Sequence, residues 1–561
     1  MLFFFYLFFM KYRILILSFI VCSFFQCESP NDKFQLIEKV FDTYGTIPDS
    51  LIKKEDWYYK DILDDSIPGI SLEKAEKTIL KNRKGREVIV AVIDGRFDIN
   101  HPAIKDYIWE NPSENLNYRD DDGNGYIDDM YGWNFMGNNN GDNASTVNQE
   151  YVRIVRLYKE HFKNKTLADI SQEEVGKFNL YIKAKEKLED ELKKEEDKLV
   201  RLNDYYNTYI TAREALKFWF PDYNYNLETL NQIDTINNPE LAPHVKEIKE
   251  VIEWGETDEF NIHYNKKQND RVHKVLNIDF NDRELVGDNP YDINDTIYGN
   301  NQVFAQANIF DHGTRVSSVI TGVFRNYSEN LKILPISKSP TGDYYDKDLA
   351  LAIRYAVNKG AKVINMSFIK LFSLNNQWVL DAMKYAEAHN VLIVSAAGNL
   401  STNVDDEIQY PLDKDSIGHE IVDNFLKVGG SSYTVNENLR AYFSSYGAND
   451  VDLFAPGYEI ETAFPNHNTY GFPLYHTDSG TSLSTALVSG VAALIFSNYP
   501  DLTATEVKYI LMDSGIAYTF PVKVPTKEDK NHKIPFDKLS KSGKIVNAYN
   551  ALLMAERVSK E

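Results

Sequence analysis

An unbroken run of apolar residues at positions 88–93 constrains the fold more than any other feature of the chain. A continuous apolar stretch of this length is typical of a strand buried on both faces of a parallel sheet. Asp94 follows at the carboxyl end of that strand. Because open α/β sheets bind ligands at this edge, Asp94 is a candidate functional residue, although strand-end aspartates also cap turns and helices.

Two later segments place a histidine and a serine at the starts of apolar helices. His312 precedes one such pattern, and Ser482 follows Gly480 and Thr481 at the start of the other. The free N–H groups at a helix N-terminus favour negative charge. A serine hydroxyl becomes a nucleophile when a base removes its proton, and the base needs a carboxylate to orient it. We therefore predict a catalytic triad of Asp94, His312 and Ser482, in that chain order.

With these three segments, the chain resembles the subtilisin-like serine proteases of the subtilase family, over residues of about 86 to 146 and 270 to 553. The resemblance implies an α/β fold of three layers, with a mainly parallel sheet flanked by helices. It implies a serine-type endopeptidase that acts on protein or peptide substrates and needs no organic cofactor. It also implies that Asn399 donates into the oxyanion hole and that Ser367 belongs to a strand end that pairs with the substrate backbone.

Three residues depart from the usual family pattern. Arg96 lies in the aspartate segment, Ile369 replaces a glycine, and Ala486 replaces a proline. Arg96 is the most consequential, because a cation beside Asp94 would compete with His312 for the carboxylate. These departures support an alternative, a non-catalytic peptide-binding lipoprotein that retains the subtilase fold.

An acidic segment at 120–129 alternates oxygen-bearing side chains with glycines. This pattern resembles a calcium loop of the EF-hand type. Position twelve of the loop is Tyr131 and not a glutamate, so a complete EF-hand is excluded. The alternative is an acidic turn without an ion. The expected calcium ligands are Asp120, Asp122, Asn124, the carbonyl of Tyr126, and Asp128.

The interval between Asp94 and His312 is far longer than the family resemblance requires. Leu188, Leu192, Leu199 and Leu202 form a partial seven-residue stripe in a highly charged helical sequence. We predict a helical hairpin or small bundle on the ligand side of the sheet, which either controls substrate entry or is a solvated insertion without a partner. The predicted organisation is a signal peptide at 1–27, a short lead at 28–85, peptidase segments at 86–146 and 266–553, and a helical insertion at 147–265.

The N-terminus and the overall charge indicate the compartment. A basic start is followed by an apolar stretch at 14–25, and Cys27 precedes a polar tether. We predict that Cys27 becomes lipidated and anchors the protein to a membrane of the bacterial envelope; an uncleaved anchor or plain secretion are the alternatives. No later apolar run is expected to span a bilayer. The net charge of −22 argues against a nucleic-acid partner, and Cys22 and Cys27 are the only cysteines, so the body has no disulfide framework.

Overall fold

The computed structural model describes residues 34–45, 55–254, 258–304, 312–338, 341–415, 417–465 and 473–561. The chain divides into two units, residues 1–37 and residues 38–561. In the first unit, residues 34–37 are described and form no helix or strand. The predicted signal peptide and Cys27 lie outside the described residues, so the following account concerns the second unit.

A nine-stranded sheet forms the centre of this unit. Its strand order is β10-β13-β7-β6-β5-β4-β1-β3-β2, and every neighbouring pair is parallel except β10 with β13. Two small antiparallel pairs, β8 with β9 and β11 with β12, lie outside it. The strands are β1 (Val88–Asp94), β2 (Trp133–Asn134), β3 (Leu331–Ser337), β4 (Val363–Met366), β5 (Leu392–Ala396), β6 (Phe425–Ser431), β7 (Leu453–Pro456), β8 (Ile460–Ala463), β9 (Tyr475–Asp478), β10 (Ile516–Ala517), β11 (Pro521–Lys523), β12 (Lys533–Pro535) and β13 (Lys544–Ile545).

Helices cover both faces of the sheet, because strands buried on both sides need apolar cover on each. The described residues contain twelve α-helices, of which α7 and α10 pack together on one face, and α8 and α9 pack together against β1, β3 and β5. The helices are α1 (Leu72–Lys77), α2 (Glu150–Tyr158), α3 (Val175–Ala215), α4 (Leu227–Asn231), α5 (Ala242–Glu253), α6 (Asp258–Asp270), α7 (His312–Val323), α8 (Asp346–Asn358), α9 (Asn376–Ala388), α10 (Thr481–Asn498), α11 (Ala504–Asp513) and α12 (Ala548–Val558). This architecture confirms the predicted three-layer α/β fold with a helical insertion.

Helix α10 is the central helix of the sheet's first face and contacts β1, β4, β5, β6 and β7. Among the described residues it is the one helix long and apolar enough to cross a membrane, with a mean hydropathy of 1.3. The expectation that no later apolar run has that length was therefore wrong. The helix is apolar on all sides because the sheet and other helices bury it.

The helical insertion carries two apolar clusters along α3, which at 41 residues is about 60 Å long. Near its start, Phe178, Tyr181 and Leu188 pack with α2 and with Phe372 of the peptidase domain. Near its end, Tyr209 and Leu216 pack with α4 and α5. The predicted boundary at 265 falls inside α6, and the helical segment continues as a π-helical turn to Val275, because no glycine or proline ends the helix there.

Buried ion pairs fasten α2 to the peptidase domain. The guanidinium of Arg153 pairs with Glu150 and donates to the carbonyls of Asp343 and Tyr344 at 2.9 and 3.0 Å. Lys370 lies 2.7 Å from Asp346 and 3.4 Å from Glu150. Removing one partner of a buried pair costs about 3–5 kcal/mol, so α2 is held rigidly beside the segment that follows β3.

The lead segment also packs onto the peptidase domain. Trp57 is fully buried, and its indole N–H donates to the carbonyls of Tyr458 and Glu459 at 3.2 Å. Farther along, the Asn547 amide donates to the Ser71 hydroxyl at 2.7 Å. These contacts join the lead to the turn before β8 and to the N-terminus of α12.

Candidate active site

Asp94 and His312 meet at the carboxyl edge of the sheet. Asp94 is the last residue of β1, is 4% exposed, and accepts a hydrogen bond from the Gly95 N–H at 2.7 Å. His312 is the first residue of α7, and its Nδ1 lies 2.9 Å from Asp94 Oδ2 and 3.0 Å from Oδ1. The carboxylate therefore fixes Nδ1–H as the donor and leaves Nε2 as the basic nitrogen.

A glycine permits this close approach. A Cβ atom at Gly313 would lie 2.6 Å from Phe97 and 2.8 Å from the Arg96 carbonyl. The Thr314 hydroxyl also accepts a hydrogen bond from the Asp98 N–H at 2.8 Å. The start of α7 is thus seated on the loop after Asp94, which places His312 against the carboxylate.

The charges of the pair shift both pKa values. Burial alone would raise the pKa of Asp94, but the His312 charge and hydrogen bond, Lys338 and the Gly95 N–H hold it below its usual value. Burial alone would lower the pKa of His312, but the charge and hydrogen bond of Asp94 outweigh it and raise the pKa above its usual value. Each residue therefore stabilises the charged form of the other.

Besides His312, Lys338 is a cation whose charge lowers the pKa of Asp94. The Arg96 guanidinium donates to the Ala144 carbonyl at 3.1 Å, whereas the Asp94 carboxylate accepts hydrogen bonds from His312 and the Gly95 N–H; competition by Arg96 stays a prediction. Lys338 follows β3 directly, at the same sheet edge as Asp94. In the sequence, Lys338 is recognisable only as the residue that follows an apolar strand. The pairing of β3 with β1 is what places it beside Asp94.

Ser482 lies at the second position of α10 and is 9% exposed. Its hydroxyl donates to the Ser367 carbonyl at 3.1 Å, and the Ser367 hydroxyl donates to the Ser482 carbonyl at 2.9 Å. The Asn365 amide supports Ser367 by donating to its hydroxyl at 2.9 Å. These contacts join the end of β4 to the start of α10 and bring Ser367 and Ser482 together.

Asn399 faces the same helix start. Its Oδ1 accepts hydrogen bonds from the N–H and the hydroxyl of Thr481, both at 2.9 Å. This orientation leaves Nδ2 without an acceptor among the described residues, and the side chain is exposed. The Ser482 N–H belongs to the first turn of α10, where no intrahelical partner exists. The Asn399 side chain and the Ser482 N–H, two donors suited to an oxyanion, are therefore both adjacent to Thr481.

Among the described residues, the histidine–aspartate contact of the predicted triad is formed, and the serine–histidine contact is not. His312 is paired with Asp94, whereas the Ser482 hydroxyl rests on Ser367 and forms no hydrogen bond with His312. Catalytic hydrogen bonds are often long or absent without substrate. The geometry offers a base paired with a buried carboxylate, a helix-terminal hydroxyl and nearby N–H donors.

The acidic loop forms a second cluster near β2. The carboxylates of Glu114, Asp120 and Asp122 can each bring one oxygen within 4.8 Å of the others. Gly123 and Gly125 have φ of +72° and +93°, values that glycine adopts without strain. The Asp128 Oδ1 accepts hydrogen bonds from the Asn117 and Tyr118 N–H groups at 2.9 and 3.0 Å, just as the Asp120 carboxylate accepts from the Gly123 and Gly125 N–H groups.

Glu114 is the residue of this cluster that the sequence pattern did not show. It is 4% exposed, its Oε1 accepts from the Asp121 and Asp122 N–H groups, and its buried Oε2 has no hydrogen bond within the described part of the chain. Burial raises its pKa, as do the charges of Asp129 and Asp122. An orphaned carboxylate oxygen among like charges suits a hard cation, although Lys359 already pairs with Asp122 at 2.9 Å.

Comparisons with known proteins agree with this architecture. The profile described as "Subtilase family" matches residues 85–538, which is most of the chain. The cell wall-associated protease of Bacillus subtilis (strain 168) is 32% identical over 236 residues, which cover 40% of this chain and 24% of that relative. Subtilisin DY of Bacillus licheniformis is 32% identical over 208 residues, which cover 35% of this chain and 67% of the relative.

Two solved structures are similar to part of the chain. A cold adapted subtilisin-like serine proteinase is 26% identical, with a TM-score of 0.31 over 40% of this chain and 73% of its own. A lanthipeptide protease is 24% identical, with a TM-score of 0.33 over 43% of this chain and 75% of its own. On the extent of the family match, the chain belongs to the subtilase family.

Proposed function

We propose that the protein is a serine endopeptidase that hydrolyses peptide bonds in proteins. Membership of the subtilase family supports a serine peptidase. In this proposal the Ser482 hydroxyl exchanges the Ser367 carbonyl for Nε2 of His312, loses its proton to that nitrogen, and attacks the scissile carbonyl. His312 then returns the proton to the leaving amine, and Asp94 orients the imidazole and stabilises its charged form.

The observation that carries the proposal is the short contact between His312 and the buried Asp94. A peptide-binding protein without catalysis has no need for a buried carboxylate paired with a helix-terminal histidine. The Asn399 amide and the Ser482 N–H would donate to the oxyanion, a role in which one side-chain donor contributes about 2.7–4 kcal/mol. Ser367 would hold the substrate backbone next to Ser482.

Covalent labelling tests the nucleophile. We expect a fluorophosphonate probe to label the wild-type protein and the Ser484→Ala variant, a neighbouring serine on α10, but not Ser482→Ala. Casein cleavage should follow the same pattern. An unlabelled wild type that binds peptides without cleaving them would support the non-catalytic lipoprotein, and equal labelling of Ser482→Ala would remove Ser482 as nucleophile.

The pH profile tests the pairing of His312 with Asp94. The base must be neutral to accept a proton, so kcat/KM rises with pH through the pKa of His312, which Asp94 raises above its usual value of about 6.5. Asp94→Asn should move this acidic limb to lower pH and reduce kcat by about 10⁴-fold. The exposed Asp106→Asn variant should do neither, and a limb that stays in place in Asp94→Asn would contradict the assignment.

We also propose that the acidic loop holds a calcium ion. Glu114, Asp120 and Asp122 would supply side-chain ligands, and the orphaned Glu114 oxygen supports this choice. The ion would neutralise like charges and fix the loop before β2. Asn124, Tyr126 and Asp128 remain predicted ligands, although the Asp128 carboxylate is engaged with backbone N–H groups.

Thermal unfolding with and without calcium tests this site. Calcium at 100 times its Kd stabilises a protein by about 2.7 kcal/mol, so the melting temperature should rise by several degrees. Glu114→Gln should abolish the rise, whereas Asp121→Asn, an exposed acid of the same loop, should retain it. A melting temperature that is insensitive to both calcium and chelator would refute calcium binding.

We propose an extracellular or envelope location, with Cys27 as a lipid-bearing residue. One relative is by name a cell wall-associated protease, and the N-terminal sequence has the basic, apolar and polar order of a cleaved leader. Several acyl chains would anchor the protein firmly to a membrane.

Fractionation of bacteria that express the protein tests the anchor. The wild type should be recovered with membranes, and Cys27→Ser should appear in the soluble fraction, while Cys22→Ser should behave as the wild type does. Equal membrane recovery of the wild type and Cys27→Ser would favour an uncleaved helical anchor. Release of both into the medium would indicate plain secretion.

A further inference from the structure

Lys338 is a buried lysine at the edge of the candidate active site. It follows the last residue of β3, and its N–H donates to the Asp94 carbonyl at 2.9 Å. The residue is 5% exposed. Its side chain therefore starts beside the catalytic carboxylate, inside the carboxyl edge of the sheet.

Aromatic rings surround the ammonium group of Lys338. The Nζ atom lies 3.9 Å from the centroid of the Phe368 ring and 5.1 Å from that of Tyr344. The two rings contact each other edge-on, with centroids 5.0 Å apart. Phe368 follows Ser367, whose carbonyl accepts the Ser482 hydroxyl. The ammonium thus lies against the strand end that reaches the nucleophile.

Other buried lysines nearby are paired, but Lys338 is not. Lys347 lies 2.7 Å from Asp288, and Lys370 lies 2.7 Å from Asp346. Within the described part of the chain, no carboxylate forms an ion pair with Lys338 and no acceptor takes a hydrogen bond from its ammonium. Ring faces stabilise a cation, but by less than the cost of a buried charge without acceptors.

The Lys338 side chain nevertheless stays mostly protonated near neutral pH. Burial lowers the pKa of Lys338 to about 8, and the charges of Asp94 and Asp343 oppose a larger fall. Asp94 is already engaged by His312 and the Gly95 N–H. The Lys338 ammonium, a cation with three N–H donors, is therefore the group beside Asp94 that still needs an acceptor.

We propose that Lys338 determines specificity by binding the carboxylate of an acidic substrate side chain, at one of the two residues that precede the scissile bond. This inference rests on the proposed endopeptidase function, in which the scissile carbonyl lies at Ser482 and the preceding residues run along Ser367 and Phe368. A carboxylate there would supply both the missing acceptor and the opposite charge. A substrate lysine at the same position would be repelled.

Matched peptides that differ only by Asp, Asn or Lys at these two positions provide the test. We expect kcat/KM to be about tenfold higher for Asp than for Asn at one of the positions, and lowest for Lys. Lys338→Met should make the Asp and Asn peptides equal, and Lys338→Arg should keep the preference. Equal rates for Asp and Asn in the wild type, or a preference that survives in Lys338→Met, would overturn the proposal.

A binding measurement separates this inference from the proposed catalysis. In Ser482→Ala, calorimetry should give an about tenfold lower Kd for the Asp peptide than for the Asn peptide, and the double variant Ser482→Ala/Lys338→Met should bind both equally. This result is expected even if the wild type cleaves no peptide, which would refute the catalytic proposal alone. Equal binding of both peptides to Ser482→Ala would refute the role of Lys338 alone.

Discussion

The pairing of His312 with Asp94 is the constraint on which the arrangement of the site depends. A carboxylate that is 4% exposed at the end of a central strand needs a partner, and the imidazole supplies it at 2.9 Å. The contact requires α7 to approach the loop after β1 closely, which Gly313 allows. Since α10 packs against α7 as well as the sheet, the same packing fixes the position of Ser482.

Charge is buried around this site to an unusual extent, and most of it is paired. Arg153 and Lys370 connect α2 to the segment after β3 and to the strand end beyond Ser367. Ion pairs and hydrogen bonds to backbone carbonyls therefore connect the insertion to the residues that border the nucleophile. Lys338 differs because its position beside Asp94 leaves its ammonium facing rings rather than carboxylates. That contrast is the basis of the proposal that Lys338 meets its partner in the substrate.

Local sequence predicted the elements that carry the site but not all of their neighbours. The apolar run before Asp94 and the small residues after Ser482 each determine one strand or helix, so both were found from the pattern alone. Glu114 and Lys338 were not found. Glu114 lies outside the repeating pattern of the acidic loop, although its contacts Asp121 and Asp122 are close in the chain, and Lys338 lies beside Asp94 only through the pairing of β1 with β3. The helical segment extends past the predicted end of the insertion because the polar sequence of α6 contains no stop signal, and the effect of Arg96 on Asp94 stays a prediction.

The most direct test of the account is whether His312 and Ser482 act as one catalytic unit. The measurement compares kcat for hydrolysis of one peptide by His312→Ala, Ser482→Ala and the double variant, with melting temperatures to verify folding. Residues that act as a unit are strongly non-additive, so each single variant should lose about 10⁶-fold and the double variant should lose no more. Losses that multiply in the double variant, or a single variant that retains most of its activity, would contradict the proposed mechanism.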